Sequence, residues 1–151
     1  MRDLPAEAAR ILREETTFAL ATADASGAPA AAPVYFVADE EGVLYWLSAR
    51  ASLHSRDAEV AGWAAGAVWA ATPHWREIRG VQLEGAVRRL DAPGERTRAL
   101  ALYRAKFPLP DELAPAIEAS AVYALRPTWL RLVDNRGGLG RREERGTRCR
   151  S

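Results

Sequence analysis

The sequence has little cysteine, little histidine and no excess of either charge, and each shortage excludes a class of protein. Its single cysteine, Cys149, cannot form an intrachain disulfide, so we expect a protein of the reducing cytoplasm. The two histidines, His54 and His74, share no metal-ligand spacing with each other or with Cys149, and no metal site is expected. With 21 basic and 20 acidic residues, the formal net charge is +1, which gives no general attraction to nucleic acid or to an anionic membrane.

The chain also lacks an uninterrupted apolar run. Residues 16–38 contain a single charged residue, Asp24, over a length that could span a bilayer. However, the Asp-Ala-Ser-Gly sequence at 24–27 is a strong turn signal, and Pro29 and Pro33 would interrupt a helix. We therefore predict two strands joined by a tight hairpin, and no membrane partner. The beginning of the chain is charged rather than apolar, so no signal peptide is predicted.

What is present is an ordinary globular composition. A chain of 151 residues with 48% hydrophobic and 27% charged residues can bury a core of its own as one domain. We predict that this domain covers residues 1–143 and that residues 144–151 form a disordered, Arg-rich tail. Because glutamates interrupt the arginines near this tail, we expect it to be solvated rather than bound to nucleic acid.

Hydrophobic periodicity and turn signals predict the order of the elements. Helices are predicted over residues 5–15, 52–62, 91–107 and 110–119. Strands are predicted over residues 16–23, 28–38, 43–48, 65–72, 76–90, 120–125 and 128–133. Closely spaced strands with short turns imply mostly antiparallel pairing, so the sequence favours an α+β fold with a barrel over a doubly wound sheet.

Glycine interrupts two segments that are otherwise well patterned. In the predicted strand Ile-Arg-Gly-Val-Gln-Leu-Glu-Gly at 78–85, Gly80 and Gly85 break the alternation of apolar and polar residues. A glycine within a strand marks a bulge or a close approach of another backbone or a ligand. A second cluster, Asp-Asn-Arg-Gly-Gly-Leu-Gly at 134–140, follows the last predicted strand and opens no clear helix, so a dinucleotide-binding loop is not expected.

Together with the Pro-Val-Tyr-Phe sequence at 33–36, these two segments resemble the flavin-binding split barrels related to pyridoxamine 5′-phosphate oxidase. The resemblance is greatest to a small bacterial branch, which carries Ile-Arg-Gly-Val-Gln-x-x-Gly followed later by Asp-Asn and a Gly-x-Gly. Here the corresponding residues are 78–85 and then Asp134, Asn135, Gly138 and Gly140. The resemblance implies a mainly antiparallel split β-barrel of about six to seven strands with flanking helices. It also implies a homodimer and FMN as the cofactor.

In these barrels, a strand–loop–helix corner holds the FMN phosphate. Its pattern is Thr or Ser, three residues, and then Ser-Arg-Lys at the beginning of the helix. Ser48 and Ser52 match this pattern, His54 stands where lysine is usual, and Leu53 replaces the arginine. The resemblance therefore implies a phosphate contact from Ser48, Ser52 and His54, with Arg50 or Arg56 as a replacement for the missing charge. Hydroxyls and amides at the beginning of a helix are a suitable environment for an anion.

The resemblance also implies contacts to the flavin ring. The strand formed by Pro33, Val34, Tyr35 and Phe36 would run beside the ring, and Arg79 and Gly80 would approach it from the partner subunit. Gly80 stands where the oxidase has a flavin-contacting glutamine, and the late Trp and Arg of the oxidase have no secure equivalent here. Trp46 or Tyr45, on the strand before the corner, could approach the pocket or simply fill the core. For the dimer face, the candidates are Trp69, Trp75, Val81 and Leu83.

Two functional hypotheses follow. The first is an FMN-dependent oxidoreductase of unknown substrate, in which no residue is identified as a catalytic acid or base. The second is a non-enzymatic protein on the same fold, which binds flavin, haem or deazaflavin, or has no cofactor at all. The second hypothesis fits the missing arginine and glutamine, since a fold does not fix a function.

Overall fold

The computed structural model describes residues 3–149, which form four α-helices and eight strands. The helices are α1 (Ala6–Glu14), α2 (Leu53–Ala61), α3 (Pro93–Lys106) and α4 (Ala114–Ala119). The strands are β1 (Thr17–Ala23), β2 (Pro29–Tyr35), β3 (Val37–Ala38), β4 (Leu44–Ser48), β5 (Trp63–Trp69), β6 (Arg79–Arg89), β7 (Ala121–Asp134) and β8 (Arg142–Gly146). Within residues 3–149, no helix is both long enough and apolar enough to cross a membrane.

All strands pair antiparallel in one curled sheet, in the order β2-β1-β5-β6-β7-β4-β3, with β8 added beside β7. The first hairpin shows why the pairing is antiparallel. Asp24 accepts hydrogen bonds from the amides of Ser26 and Ala28, and Gly27 adopts a φ of 86° that a residue with a side chain would avoid. The predicted α+β class and the mainly antiparallel split barrel are confirmed.

The core lies inside the curl, where every second residue of each strand points inward. Phe18, Phe36 and Trp46 are fully buried there, and the Trp46 ring stacks on Tyr123 at 5.5 Å. Helix α1 and helix α2 each add a buried face to this core, through Ile11 and Leu12 and through Ala58 respectively. Trp46 therefore fills the core, and the suggestion that it approaches a pocket is not supported.

A second, smaller core forms where α3 packs on the other side of β4 and β7. It consists of Val43, Leu90, Ala99, Val122 and Ala124. By contrast, within residues 3–149 no helix covers the outward side of β2, β1, β5 and β6, which we call the outer face; the end of α3 only borders it, where Phe107 packs against Tyr35. Its outward residues are mostly small or apolar: Pro29, Ala31, Pro33, Tyr35, Ala19, Ala21, Ala23, Trp63, Ala65, Ala67, Trp69, Gly80 and Ala86. Its polar members are Thr17, Gln82 and Glu84.

The register of β6 corrects two residues predicted for the dimer face. Val81 and Leu83 are each only 1% exposed and belong to the barrel core. Gly80 and Gln82 point outward instead, since neighbouring residues of a strand face opposite sides. Of the four predicted candidates, Trp69 and Trp75 are exposed, at 55% and 49%.

One long strand replaces the two that were predicted before and after Arg126 and Pro127. Strand β7 continues through Pro127 because β6 has a register shift between Glu84 and Gly85, opposite the proline. A side chain at position 85 would overlap the Arg126 carbonyl and lie 2.8 Å from the Pro127 Cα. Gly85 thus marks both a bulge and a close backbone approach, as its position in the sequence predicted.

The region after residue 140 differs from the predicted disordered tail. Strand β8 crosses the predicted boundary at residue 143 and pairs with β7 from Val133 to Trp129. Beyond it, the Thr147 amide donates to the Thr128 carbonyl at 2.9 Å. Residues 150 and 151 lie outside the described residues. The sequence signal was misleading because the Arg/Glu alternation of this segment is also compatible with an edge strand that pairs its charges across the ladder.

Lys106, the only lysine in the chain, joins the ends of α3 and α1. Its ammonium group donates to the carbonyls of Leu12 and Glu15, at 3.3 and 2.5 Å, and lies 4.4 Å above the Phe36 ring. A cation is favourable at this place because the last carbonyls of a helix carry partial negative charge. Burial nevertheless lowers the pKa of Lys106 to about 8, and the Glu15 carboxylate opposes this shift.

We predict that Gly85→Ala destabilises the protein by about 3 kcal/mol, because the added methyl group would overlap backbone that cannot move without breaking the β6–β7 ladder. Urea denaturation followed by tryptophan fluorescence measures this change. Gly94→Ala is the matched control, since a methyl group there meets open space in the first turn of α3. The control should stabilise by about 0.4–1 kcal/mol, and equal effects of the two substitutions would contradict the close approach.

Candidate functional site

The end of β4 and the beginning of α2 bring together Ser48, Ser52 and His54, as predicted. Ser48 is the last residue of β4 and pairs with Ala121 of β7, which fixes its position. The Nε2 atom of His54 lies 2.7 Å from the Ser48 Oγ and 3.3 Å from the Ser52 Oγ, and the two hydroxyls are 3.1 Å apart. We call these three residues the corner.

Ser52 occupies the N-cap position of α2 but does not cap the helix with its side chain. Its hydroxyl donates to the Ala49 carbonyl at 2.8 Å and lies 2.8 Å from the Ser55 hydroxyl. The amides in the first turn of α2 therefore receive no acceptor from this side chain. Such amides, at the positive end of the helix dipole, are available to an external anion.

His54 is half-buried, and its protonation state follows from its surroundings. Burial lowers the pKa of the imidazole below its ordinary value of 6.5, and the Asp57 carboxylate partly opposes this shift. Asp57 is itself buried and accepts a long hydrogen bond of 3.5 Å from Thr22. At neutral pH, His54 is therefore an uncharged imidazole that shares hydrogen bonds with two hydroxyls.

The arginines expected to assist the corner are placed differently. The Nε atom of Arg50 lies 3.6 Å from Glu59, which also binds Arg89 at 3.1 Å and the Tyr123 hydroxyl at 2.7 Å. Arg56 is exposed and has no ion-pair partner within residues 3–149. The corner consequently combines hydroxyls, amides and a neutral imidazole, and no arginine contacts it directly.

The sequence analysis did not identify two other side chains at this place, Ser55 and Tyr123. Ser55 is 1% exposed and bonds to Ser52, while Tyr123 connects the beginning of β7 to α2 through Glu59. The only signal for Ser55 was its spacing of three residues from Ser52, which places both on one side of a helical turn. No sequence signal connected Tyr123 to the corner, since the contact depends on the β4–β7 register.

The segment from Pro33 to Phe36 lies near the other end of the sheet. Pro33 and Tyr35 point to the outer face, whereas Val34 and Phe36 point to the core. Helix α2 meets β1 at Thr22, which pairs with Ala30, while Tyr35 pairs with Thr17 five residues away. At about 3.3 Å per residue, this separation is roughly 16 Å along the strand.

Arg79 and Gly80 point in opposite directions. Arg79 turns towards α1, where its Nε atom lies 3.4 Å from the Glu7 carboxylate, and Gly80 lies on the outer face beside Trp69. Arg136 also contacts Glu7, at 2.9 Å, and Asp134, at 2.7 Å. These ion pairs connect α1 to both glycine-containing segments.

Asn135 joins the two segments that carried the resemblance. Its backbone amide donates to the Ile78 carbonyl at 2.9 Å, and its Nδ2 donates to the Trp75 carbonyl at 2.8 Å. Its Oδ1 accepts from the Gly140 amide at 2.9 Å. Asn135 thus holds two loops together, and this structural role accounts for the asparagine in the Asp-Asn…Gly-x-Gly pattern at 134–140.

Tyr45 lies away from the corner and the outer face. It lines a groove of about 540 Å³ beside α3, together with Arg98 and Arg126. Its hydroxyl donates to Asp39 at 2.9 Å, and burial together with this hydrogen bond raises the pKa of Tyr45 to about 12. Tyr45 therefore stays protonated at physiological pH.

Comparison with known proteins gives one family and several similar folds. Residues 4–134 match the profile of a protein family described as pyridoxamine 5′-phosphate oxidase. A heme binding protein from Mycobacterium smegmatis has a TM-score of 0.76 at 24% identity, over 97% of this chain and 59% of its own. HutZ, the heme storage protein of Vibrio cholerae, has a TM-score of 0.66 at 19% identity, over 78% of this chain and 85% of its own. An F420 reductase has a TM-score of 0.66 at 22% identity, over 84% of this chain and 98% of its own.

These identities are low enough that the solved structures establish the fold alone. The chain spans about three fifths of the length of the M. smegmatis protein. No curated protein matches the sequence.

We predict that the His54 imidazole titrates below pH 6.5 in the free protein, because burial disfavours its charged form. Proton NMR of the imidazole resonances measures this pKa, and His74→Gln removes the only other histidine. Asp57→Asn should lower the pKa further, since it removes the carboxylate that favours the charged form. A pKa at or above 6.5 in the His74→Gln protein would contradict the buried position of His54.

Proposed function

Because the chain belongs to the pyridoxamine 5′-phosphate oxidase family, we propose that it is an FMN-binding split-barrel flavoprotein and an oxidoreductase of unknown substrate. The observation that carries this proposal is the corner. Two hydroxyls and an imidazole converge at a helix N-terminus whose first-turn amides have no acceptor from the N-cap side chain. This is a donor set that fits a phosphate group.

Each member of the corner has a definite part in this proposal. When the phosphate binds, the hydroxyls of Ser48 and Ser52 give up their contact with each other, and Ser52 also gives up its hydrogen bond to the Ala49 carbonyl. Both hydroxyls then donate to phosphate oxygens. His54, neutral when alone, takes up a proton as the phosphate binds, since an adjacent anion favours the imidazolium. Arg56, which is exposed and without an ion-pair partner in residues 3–149, is better able to add charge than Arg50, which is engaged with Glu59.

The flavin ring would lie on the outer face, which a second copy of the chain covers in a homodimer. Pro33 and Tyr35, whose side chains point to this face, would then lie beside the ring. Gly80 belongs to the same face, where its missing side chain lets Trp69 and the Val68 carbonyl approach closely, whereas Arg79 would first have to leave Glu7 to reach the partner's ring. When bound, FMN supplies the redox chemistry, and the chain binds it, orients it and excludes water.

A second candidate function is cofactor binding without turnover. The observation that favours it is the absence of a contacting arginine at the corner, where Leu53 is 55% exposed and replaces the usual arginine. Similar folds include proteins described as heme-binding and as an F420 reductase, so haem and deazaflavin are the alternative ligands. In either case, the single cysteine favours a cytoplasmic protein.

The visible spectrum of the purified protein separates these functions. Bound flavin gives two bands in the near-ultraviolet and blue, and bound haem gives a Soret band. A colourless preparation should be titrated with FMN, riboflavin, haem and F420. A protein that binds haem or F420 but not FMN would support the second function and overturn the first.

We predict that Ser48→Ala and Ser52→Ala each weaken FMN binding about tenfold or more, because each removes a hydrogen bond to a charged group worth about 1.5–3 kcal/mol. Leu53→Arg should strengthen binding, because it restores charge beside the phosphate. Fluorescence titration measures these affinities. Riboflavin, which lacks the phosphate, should respond to none of these substitutions.

The same titrations provide a pH test and a control. FMN affinity should fall as the pH rises from 6.5 to 8, since the proton on His54 is lost, and His54→Gln should remove this dependence. Ser26→Ala, which deletes an exposed hydroxyl in the β1–β2 hairpin, is the matched control and should have no effect. Equal losses for FMN and riboflavin would place the phosphate somewhere other than the corner.

We also predict a dimer in solution. The outer face exposes Tyr35 and Trp69 among small residues, and this apolar surface suits a C2 interface with a second copy. Sedimentation velocity at micromolar concentration measures the oligomeric state of the protein. Trp69→Glu should shift it to monomer, while Val60→Glu, at an apolar residue exposed on α2, should not. A wild-type protein that is monomeric would contradict both the interface and a flavin site shared between subunits.

A further inference from the structure

Glu84 is a buried carboxylate on the outer face. Val81 and Leu83 face the core, and because successive residues of a strand face opposite sides, Glu84 points outward. It pairs with Trp129 of β7. The residue is nevertheless only 7% exposed. What covers it is the segment that follows β8, residues 147–149, which we call the latch.

The latch satisfies both oxygens of this carboxylate. Arg148 donates from Nε and Nη2 to the Glu84 Oε2, at 3.2 and 3.1 Å, and the Cys149 amide donates to Oε1 at 3.0 Å. The Arg148 guanidinium also lies 4.4 Å above the Trp129 ring. A carboxylate and an aromatic face together form a specific environment for a guanidinium group.

Two further charges of this surface, Arg131 and Glu144, are paired with each other. Arg131 of β7 lies 2.8 Å from Glu144 of β8, and the Trp129 indole N–H also points to Glu144, at 3.3 Å. The ion pairs Glu84–Arg148 and Arg131–Glu144 neutralise the charges around Trp129, whereas Arg142, opposite Val133, has no ion-pair partner within residues 3–149. Beside Glu84, the neighbouring strand β5 presents Trp63, Ala65 and Ala67, none of which can pair with a carboxylate charge.

We propose that the latch neutralises Glu84 and thereby makes the outer face acceptable to a second copy of the chain. This inference rests on the homodimer of the proposed function. If the latch opened, Arg148 would leave, and a carboxylate without a counter-ion would remain among small apolar residues. Covering such a carboxylate with a second subunit is strongly unfavourable, because a buried charge without a partner loses its hydration. The closed latch is therefore a condition for dimerisation.

Three variants and the wild type test the proposal by sedimentation equilibrium. Arg148→Ala leaves Glu84 without its counter-ion and should raise the dimer dissociation constant at least about tenfold. Glu84→Gln combined with Arg148→Ala removes both charges and should restore most of the affinity. Arg145→Ala deletes a nearby arginine that pairs with Glu143, and it should leave the dissociation constant unchanged.

A spin label on Cys149, the only cysteine, reports the latch itself. The label should be less mobile in the wild type than in Arg148→Ala, because the Cys149 backbone is held by Glu84 only when the latch is closed. Equal mobility in the two proteins would overturn the proposal, because Arg148 would not be what holds the latch closed.

The remaining outcomes are distinguishable from one another. A dimeric wild type whose Arg148→Ala variant associates equally well would overturn the latch alone. If the double variant stays as weak as Arg148→Ala, the latch acts through direct contact and the charge argument is wrong. A monomeric wild type would remove the homodimer of the proposed function and the role of the latch with it.

Discussion

The close packing of Gly85 against the backbone of Arg126 and Pro127 is the constraint on which the rest of the structure depends. It allows β7 to run for 14 residues through a proline. The first half of this strand pairs with β4 and supports the corner, and the second half pairs with the edge strand β8. The proposed phosphate site and the proposed subunit interface are thus attached to one continuous strand. The register between β7 and β4 and the register between β7 and β8 therefore constrain each other.

Local features of the fold could be predicted because local patterns determine them. The apolar side of α1 and the Asp24–Gly27 turn each act within a few residues, and both agree with the structure. Which residues of β6 face the core could not be predicted in the same way. Gly80 and Gly85 obscure the alternation, and only pairing with β5 and β7 shows that Val81 and Leu83 face the core. A shift of one residue would exchange the two faces of the strand.

The candidate site shows the same limit. The spacing of Ser48, Ser52 and His54 was sufficient to predict that they come together, since a strand end and a helix start are adjacent in sequence. The charge state of the site was not predictable, because it depends on distant partners. Glu59 retains Arg50 through contacts shared with Arg89 and Tyr123, and burial keeps His54 neutral. If the corner binds an anion, as proposed, its largely neutral groups would act through geometry more than through attraction at long range.

The arrangement around Lys106 has a practical consequence. Of the 21 basic residues in the chain, it is the only one with a primary amine on its side chain, and that amine is held between two helix ends against the Phe36 ring. An acylating reagent thus has one internal target, which is shielded in the native protein and free in the unfolded chain. The rate of acylation at this single position, measured by mass spectrometry, therefore reports how often the α1–α3 contact opens.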